Sequence, residues 1–317
     1  MFKKRSIARI LSLLIMIMAF TACSGNNAGS AAISTLMAEA GVRPDTDREG
    51  YAITLPEEIN TIISIGPSNT EILVALGFGG RIIATDDFSG NIEGIQPGIS
   101  SLNMMFLDAE FIIGLQPDII FITGMSRVGG GNPLSLISDT GISIVYMPTS
   151  NSITDIMEDI RFIAAVMGVQ ANGEDIITSM EAEINSIRQI AETITERRTV
   201  YFEISPAPFM YSFGTGTYMH EMIELAGAEN IFADREGWIS VTDEALLLAN
   251  PDIILTSVNF PDNPIAEIMG RVGWGVIAAV QNGRVYSIDA DYSNRPSQNI
   301  IKALREIAQA VYPDLFP

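Results

Sequence analysis

The side chains that could do chemistry are few and scattered. One histidine, His220, and one cysteine, Cys23, supply all the imidazole and thiol of the 317 residues. Direct capture of zinc or manganese normally uses a cluster of His and carboxylate ligands, so that substrate class does not fit. His220 opens a short helical stretch beside Met219 and Met222. There, axial ligation of a haem iron competes with a plain surface or capping role. Ser68 lies in Gly66-Pro-Ser-Asn-Thr70 rather than a Gly-x-Ser-x-Gly elbow, and no histidine stands in a relay to it. Asp86 and Asp87 are adjacent on one turn, cannot flank a scissile bond, and read as a solvated turn. Gly129-Gly-Gly-Asn132 and Gly214-Thr-Gly-Thr217 could form backbone anion nests, but both lack the Lys-Ser/Thr ending of a phosphate loop. They read as flexible loops. Nothing here argues for catalysis, and no enzyme, resident cofactor or metal site is expected.

Cys23 has a more definite context. Lys3, Lys4, Arg5 and Arg9 form a basic start, followed by an uncharged run of 13 residues from Ile10 to Ala22. A bilayer-spanning helix needs about 20 residues, so this run reads as the core of a signal peptide. Thr21-Ala22-Cys23 ends it and resembles a bacterial lipobox, in which the cysteine becomes the lipidated first residue. Phe20 stands where Leu is usual. The alternative is an ordinary signal peptide with an incidental cysteine, but a lone exposed thiol outside the cell would be a liability that lipidation removes. The expected location is the outer face of the cytoplasmic membrane, reached through a lipid anchor.

Charge narrows the partners. The chain carries 18 basic and 38 acidic residues, a net charge of −20; without the four basic residues of the leader, 14 stand against 38, or −24. Such a surface repels nucleic acid and anionic headgroups, so no nucleic-acid partner is expected. Residues 23–49, rich in Ser, Gly, Asn and Ala, read as a tether from the lipidated cysteine. The roughly 270 residues that follow exceed what one core usually serves.

Those residues read as two similar lobes. Strand candidates at Thr61–Ile65, Arg81–Thr85, Asp118–Thr123, Ser143–Met147, Thr199–Ile204, Asp252–Ser257 and Arg284–Ile288 alternate with helical patterns such as Thr70–Leu76, Ala109–Leu115 and Ile153–Met167. That alternation predicts an α/β fold with mainly parallel, Rossmann-like sheets. Three blocks then recur in order. Glu71 to Gly77 matches Glu221 to Gly227. Glu110, six residues and Pro117-Asp-Ile-Ile match Glu244, six residues and Pro251-Asp-Ile-Ile. Val145-Tyr146 with its following helix matches Val285-Tyr286. The lobes are placed at 50–167 and 199–317. Between them, at 168–198, Ile176, Met180, Ile184, Ile187, Ala191 and Ile194 form one apolar helical stripe, predicting a long rigid helix from Asn172 to Arg198. A helix between lobes favours small rocking over wide hinge closure.

Ile63 to Leu73, Glu110 to Ile120, Leu225 to Phe232 and Trp238 to Leu255 together resemble the substrate-binding proteins of ABC importers, in the helical-backbone group serving cobalamin, ferric siderophores and haem. The resemblance covers nearly all of the chain after the leader. It implies a monomer that binds a small chelate or corrinoid, which can itself contain iron or cobalt, and hands it to a permease and its ATPase. It also implies that one surface glutamate per lobe docks on permease arginines; by position these are Glu110 and Glu244. The repeat selects the same pair independently, although acidic residues also suit the first turn of any helix.

Ligands of open α/β sheets bind beyond the carboxyl ends of the strands, which here places the cleft between the lobes. The ends offer Ser68 and Asn69, Asp86 to Phe88, Asn103 to Met105, Ser126 and Arg127 from the first lobe. The second offers Phe209 to Thr215, with Tyr211 among them, Trp238, and Asp291 to Arg295. In cobalamin-binding members, aromatics at the places of Phe88 and Trp238 hold the ligand, and Met104 stands where a further tryptophan is found. Arg127 and Arg295 could fork onto a ligand carboxylate or phosphate; the alternative is a pair of exposed or salt-bridged arginines. Trp274 sits in an apolar segment and reads as core. The function expected is capture and delivery of a ferric siderophore or corrinoid. A haem-binding lipoprotein of the same class, a surface hydrolase, or a sensory lipoprotein without ligand are the alternatives.

Overall fold

A computed structural model describes residues 42–127, 134–137, 140–260 and 262–317, apart from the side chains of Met125, Arg127 and Ser135. Cys23 and the Gly129–Asn132 loop lie outside the described residues. Two parallel sheets dominate. The first joins β1 (Ile62–Ile65), β2 (Ile82–Asp86), β3 (Ser100–Leu102), β4 (Ile119–Thr123) and β5 (Ser143–Met147) in the order β3-β2-β1-β4-β5. The second joins β6 (Thr199–Glu203), β8 (Glu229–Asn230), β10 (Ile253–Thr256) and β11 (Val285–Ser287) in the order β11-β10-β6-β8. When β6 is set on β1, the orders β2-β1-β4-β5 and β8-β6-β10-β11 coincide, so the sequence repeat is a repeat of topology. The strands are near-continuous Ile, Val and Phe because helices cover both faces.

The recurring Pro-Asp pair has a mechanical role in both halves. Asp118 Oδ2 accepts from the Thr61 amide at 2.9 Å and its hydroxyl at 3.0 Å, while the Asp118 amide donates to Thr61 Oγ1 at 3.0 Å. Asp252 and Thr199 repeat the arrangement at 2.9, 2.9 and 3.0 Å. Each aspartate thus sets the start of a central strand against its neighbour. The helices before these strands, α2 (Ala109–Leu115) and α6 (Asp243–Ala249), have seven residues each. Asp108 and Thr242 cap them by accepting from Phe111 and Ala245 amides, and left-handed Gln116 and Asn250 end them just before the prolines.

The remaining helices are α1 (Pro67–Ala75), α3 (Ile153–Val166), α4 (Gln170–Ala191), α5 (Tyr218–Leu225), α7 (Pro264–Met269), α8 (Ala278–Gln281), α9 (Ala290–Asn294) and α10 (Ile300–Val311). The inter-lobe helix α4 has 22 residues, about 33 Å at 1.5 Å per residue. It starts two residues earlier than predicted and ends at Ala191, not Arg198. Its buried face is Ile177, Met180, Ile184 and Ile187, so Ile177 replaces Ile176 in the stripe. That face belongs to one apolar core containing Ile62, Leu73 and Phe121 of the first lobe and Val200, Phe202 and Leu255 of the second. Two smaller cores lie on the outer faces of the sheets.

The predicted tether is too long at its folded end. Asp47 is buried and accepts from the Tyr146 amide at 3.0 Å, and Arg43 Nε donates to the Val166 carbonyl at 2.9 Å. Residues 42–49 therefore pack on the first lobe. Short strands were also not legible: β3, β8, and the antiparallel pair β7 (Tyr211–Phe213) and β9 (Trp238–Ser240) have two or three residues each. A period of two cannot show itself over so few positions.

Candidate ligand-binding site

The cleft lies where the order of the first sheet reverses, between β1 and β4, the usual switch-point position. Its first-lobe wall is Gly66-Pro67-Ser68 after β1, Met104 after β3, Thr123 at the end of β4 and Pro148 to Ser150 after β5. The second-lobe wall is Ile204, Tyr218, Trp238 and Asn294 to Pro296. The enclosed volume is about 450 Å³, within the range of small-molecule sites.

The loops are built rigidly. Gly66 has φ of 113°, and a Cβ there would lie 3.2 Å from Thr123 Cβ, so the turn from β1 into α1 needs glycine. Asp86 is fully buried: its carboxylate accepts from Gly66 N at 2.8 Å, Phe88 N at 2.9 Å and Ser89 Oγ at 2.6 Å. Asp87 accepts from the Met104 amide at 3.3 Å. The pair therefore brackets three cleft loops: Asp86 is buried, against the solvated turn expected from sequence, while Asp87 stays exposed on the turn. Gly214-Thr-Gly-Thr217 is likewise no flexible loop. A Cβ on Gly214 would fall 2.1 Å from the Arg235 carbonyl, and Thr217 caps α5 through His220 N.

Trp238 is 46% exposed, with its ring held edge-on by Phe213 at 6.1 Å and Tyr218 at 6.5 Å. Tyr218 is itself fixed by a 3.0 Å bond to the Ser293 carbonyl, and burial pushes its phenol well above the usual range. A partly bare indole face on a rigid mount suits stacking against a flat conjugated ligand. Met104 is buried and lines the same cleft. Phe88, on the turn after β2, and Tyr211, at the start of β7, are 58% and 45% exposed and lie outside the enclosed volume.

Asn69 and Arg295 each have protein partners that the sequence did not announce. Asn69 does not reach the cleft: its side chain is buried and donates to the Ile65 carbonyl at 2.9 Å, closing the first turn of α1. Arg295 lines the cleft, but its guanidinium is already engaged by Glu71 at 3.1 Å, Asp291 at 2.7 Å, the Phe88 carbonyl at 3.2 Å and Asn91 at 3.1 Å. It is thus salt-bridged and at the same time part of the cleft wall. Arg127 ends a 3₁₀ turn after β4, with its side chain outside what is described. Trp274 is core as expected, 1% exposed, and donates to Asp243 at 2.9 Å. His220 lines a groove along α4 with Ile153, Glu181 and Arg188, away from the cleft, so it cannot ligate a metal there.

Glu110 and Glu244 are both exposed, each the second residue of its twin helix. Helices between parallel strands run against them; α2 leads into β4 and α6 into β10, so both glutamates start from the strand edge that bounds the cleft. The Glu244 carboxyl is held below its ordinary range by its own amide and the Thr242 hydroxyl.

The family model described as periplasmic binding protein matches residues 62–292, and the chain belongs to that family. The uncharacterized ABC transporter substrate-binding lipoprotein YvrC of Bacillus subtilis is 30% identical over 275 residues, covering 85% of each chain. A vitamin B12-binding protein of Vibrio parahaemolyticus is 24% identical, covering 80% of this chain and 90% of its own. Among solved structures, a possible iron-binding periplasmic solute-binding protein of Staphylococcus epidermidis is 27% identical with a TM-score of 0.72, covering 81% of this chain and 100% of that one.

Proposed function

We propose that this protein is an exported, lipid-anchored solute-binding protein that captures a ferric siderophore or a corrinoid and delivers it to an ABC importer. The observation that carries the reading is the cleft itself: an apolar slot between twin parallel sheets, with the half-bare indole of Trp238 fixed on one wall and Met104 on the other. The names of the relatives, a substrate-binding lipoprotein of an ABC transporter and a vitamin B12-binding protein, support it. Corrinoids and ferric siderophores bring their own donor atoms to the metal. A cleft wall without histidine or cysteine among its described residues is compatible with such a cargo. Binding without catalysis is the role, with Cys23 the lipidated residue and Glu110 and Glu244 the contacts to the permease.

The test is titration of the purified protein with cyanocobalamin, a ferric hydroxamate, a ferric catecholate and haemin, followed by tryptophan quenching and calorimetry. Saturable 1:1 binding of cyanocobalamin or a ferric chelate is expected. Trp238→Ala should weaken it at least tenfold, the loss of about 1.4 kcal/mol. Binding of haemin alone would shift the cargo to a tetrapyrrole that needs a protein ligand. Binding of none of the four would remove the transport reading.

A further inference from the structure

Glu71 and Glu221 hold equivalent places in the twin helices α1 and α5, and each reaches out of its own lobe. The Glu71 carboxylate, 6% exposed, accepts from Arg295 Nη1 at 3.1 Å, Asn299 Nδ2 at 2.9 Å and the Ser297 hydroxyl. Gln298 Nε2 adds a 3.3 Å bond to the Glu71 carbonyl. All four donors lie in the second lobe, on the stretch that enters α10. Glu221 makes the reverse connection: its Oε2 accepts at 2.7 Å from the amide of Ile153, the first residue of α3 in the first lobe. Now α3 follows β5 and α10 follows β11, so they too are counterparts in the repeat. In each lobe, the helix after the first strand therefore lends a carboxylate to the entry of the last major helix of the other lobe.

We propose that Glu71 and Glu221 are positioning residues that fasten the lobes reciprocally and set the aperture of the cleft. The two sites differ in place and strength. Glu71 lies one turn beyond Ser68 along α1, beneath the cleft wall. There it fixes Arg295, which also bonds to the Phe88 carbonyl and to Asn91. Glu221 lines the groove along α4. One site collects three side-chain donors, including a guanidinium, and the other a single amide. Both carboxylates accept charge-assisted bonds, but Glu71 has three of them, one within an ion pair, against one at Glu221. The Glu221 contact is therefore the one that yields first and the Glu71 cluster is the one that governs the cleft. Two crosswise ties beside a shared core confine motion to rocking. This reading does not rest on the identity of the cargo, and its test uses ligand-free protein.

Hydrogen exchange and small-angle scattering on the full chain test it, with Glu71→Ala, Glu221→Ala, the double variant and the conservative Glu71→Gln. Glu71→Ala should speed exchange at residues 86–92 and 293–301 at least about tenfold, and Glu221→Ala at 152–156, with β1, β4, β6 and β10 unchanged. Glu71→Gln keeps an acceptor and should recover much of the protection. The double variant should enlarge the radius of gyration beyond either single change. Ser297→Ala removes a donor from the opposite lobe, should loosen the same segments, and serves if Glu71→Ala does not fold. Unchanged exchange in the partner segments would overturn the proposal. So would exchange that rises equally throughout the sheet of the mutated residue's own lobe, since that marks a glutamate supporting only its own lobe.

Discussion

Arg271 lays both terminal nitrogens on the carboxylate of Glu203, at 2.6 and 2.9 Å, with the acid 1% exposed at the end of β6. Its guanidinium also stacks 4.4 Å from the Trp274 ring and meets Glu267 at 2.5 Å. Burial pushes the Glu203 carboxyl upward, and the Arg271 bonds pull it back. Removing only the arginine leaves a buried acid with no counter-charge and only the 3.3 Å bond from the Tyr201 hydroxyl. Arg271→Ala should therefore cost about 3–5 kcal/mol, while Glu203→Leu with Arg271→Met should be close to neutral. Urea unfolding of the four species in a double-mutant cycle checks this; a single-variant loss under about 1 kcal/mol would contradict it.

Asp159 gives the protein an acid-side preference. It is 4% exposed, and burial raises its pKa from an ordinary 3.8 to about 6 against the pull of Arg48 and Ser150. The folded state thus holds this proton more tightly than the unfolded chain. The associated stability is whole below 3.8 and is lost as pH rises past about 6, on the order of 3 kcal/mol. The stability difference between the native protein and Asp159→Asn, measured in urea from about pH 4 to about pH 7.5, should fall along that window. A flat difference would show that Asp159 does not titrate there.

The exposed pair at the starts of α2 and α6 should matter for delivery and not for capture. Glu110→Arg with Glu244→Arg is expected to abolish uptake in cells while leaving the affinity of the purified protein within twofold. Retained uptake would remove the docking role. Under the proposed docking role, charge loss at one site alone should reduce transport less than loss at both.

Gly214 marks a close approach of two backbones. Its added Cβ would meet the Arg235 carbonyl at 2.1 Å and the Phe232 carbonyl at 2.9 Å, and neither is a side chain that can swing aside. Gly214→Ala should cost about 1–3 kcal/mol. Because Gly214 N bonds to Gly237 O beside Trp238, it should also alter tryptophan emission. An unchanged spectrum with unchanged stability would show that the loop relaxes freely.

Much of the fold was legible because the repeat spoke twice. Pro117-Asp118 and Pro251-Asp252 announced helix end and strand start, and the Asp-to-Thr clamps explain why those pairs recur. The β-branched runs located every strand of four or more residues, since burial on both faces demands such runs. The boundary of α4 was misplaced because the apolar spacing continues to Ile194, three residues past the last helical residue, Ala191; both are half-buried beside Gly227. The site was less legible. Asn69 and Arg295 had the right chemistry for ligand contact, but their partners lie 4 and 224 residues away, in Ile65 and Glu71. The repeat does align Glu71 with Glu221, yet a sequence offers no reason for a carboxylate in the middle of an apolar helix. The reason lies in the opposite lobe.

The common core along α4 has a consequence for how the chain comes apart. Ile177, Met180, Ile184 and Ile187 sit between oily flanks from both halves, and either half alone would leave its flank in water. The halves repeat one another in strand order, yet they share one core. Severed between Arg197 and Arg198, neither piece should fold alone, and heat should melt the intact chain in one step, not two.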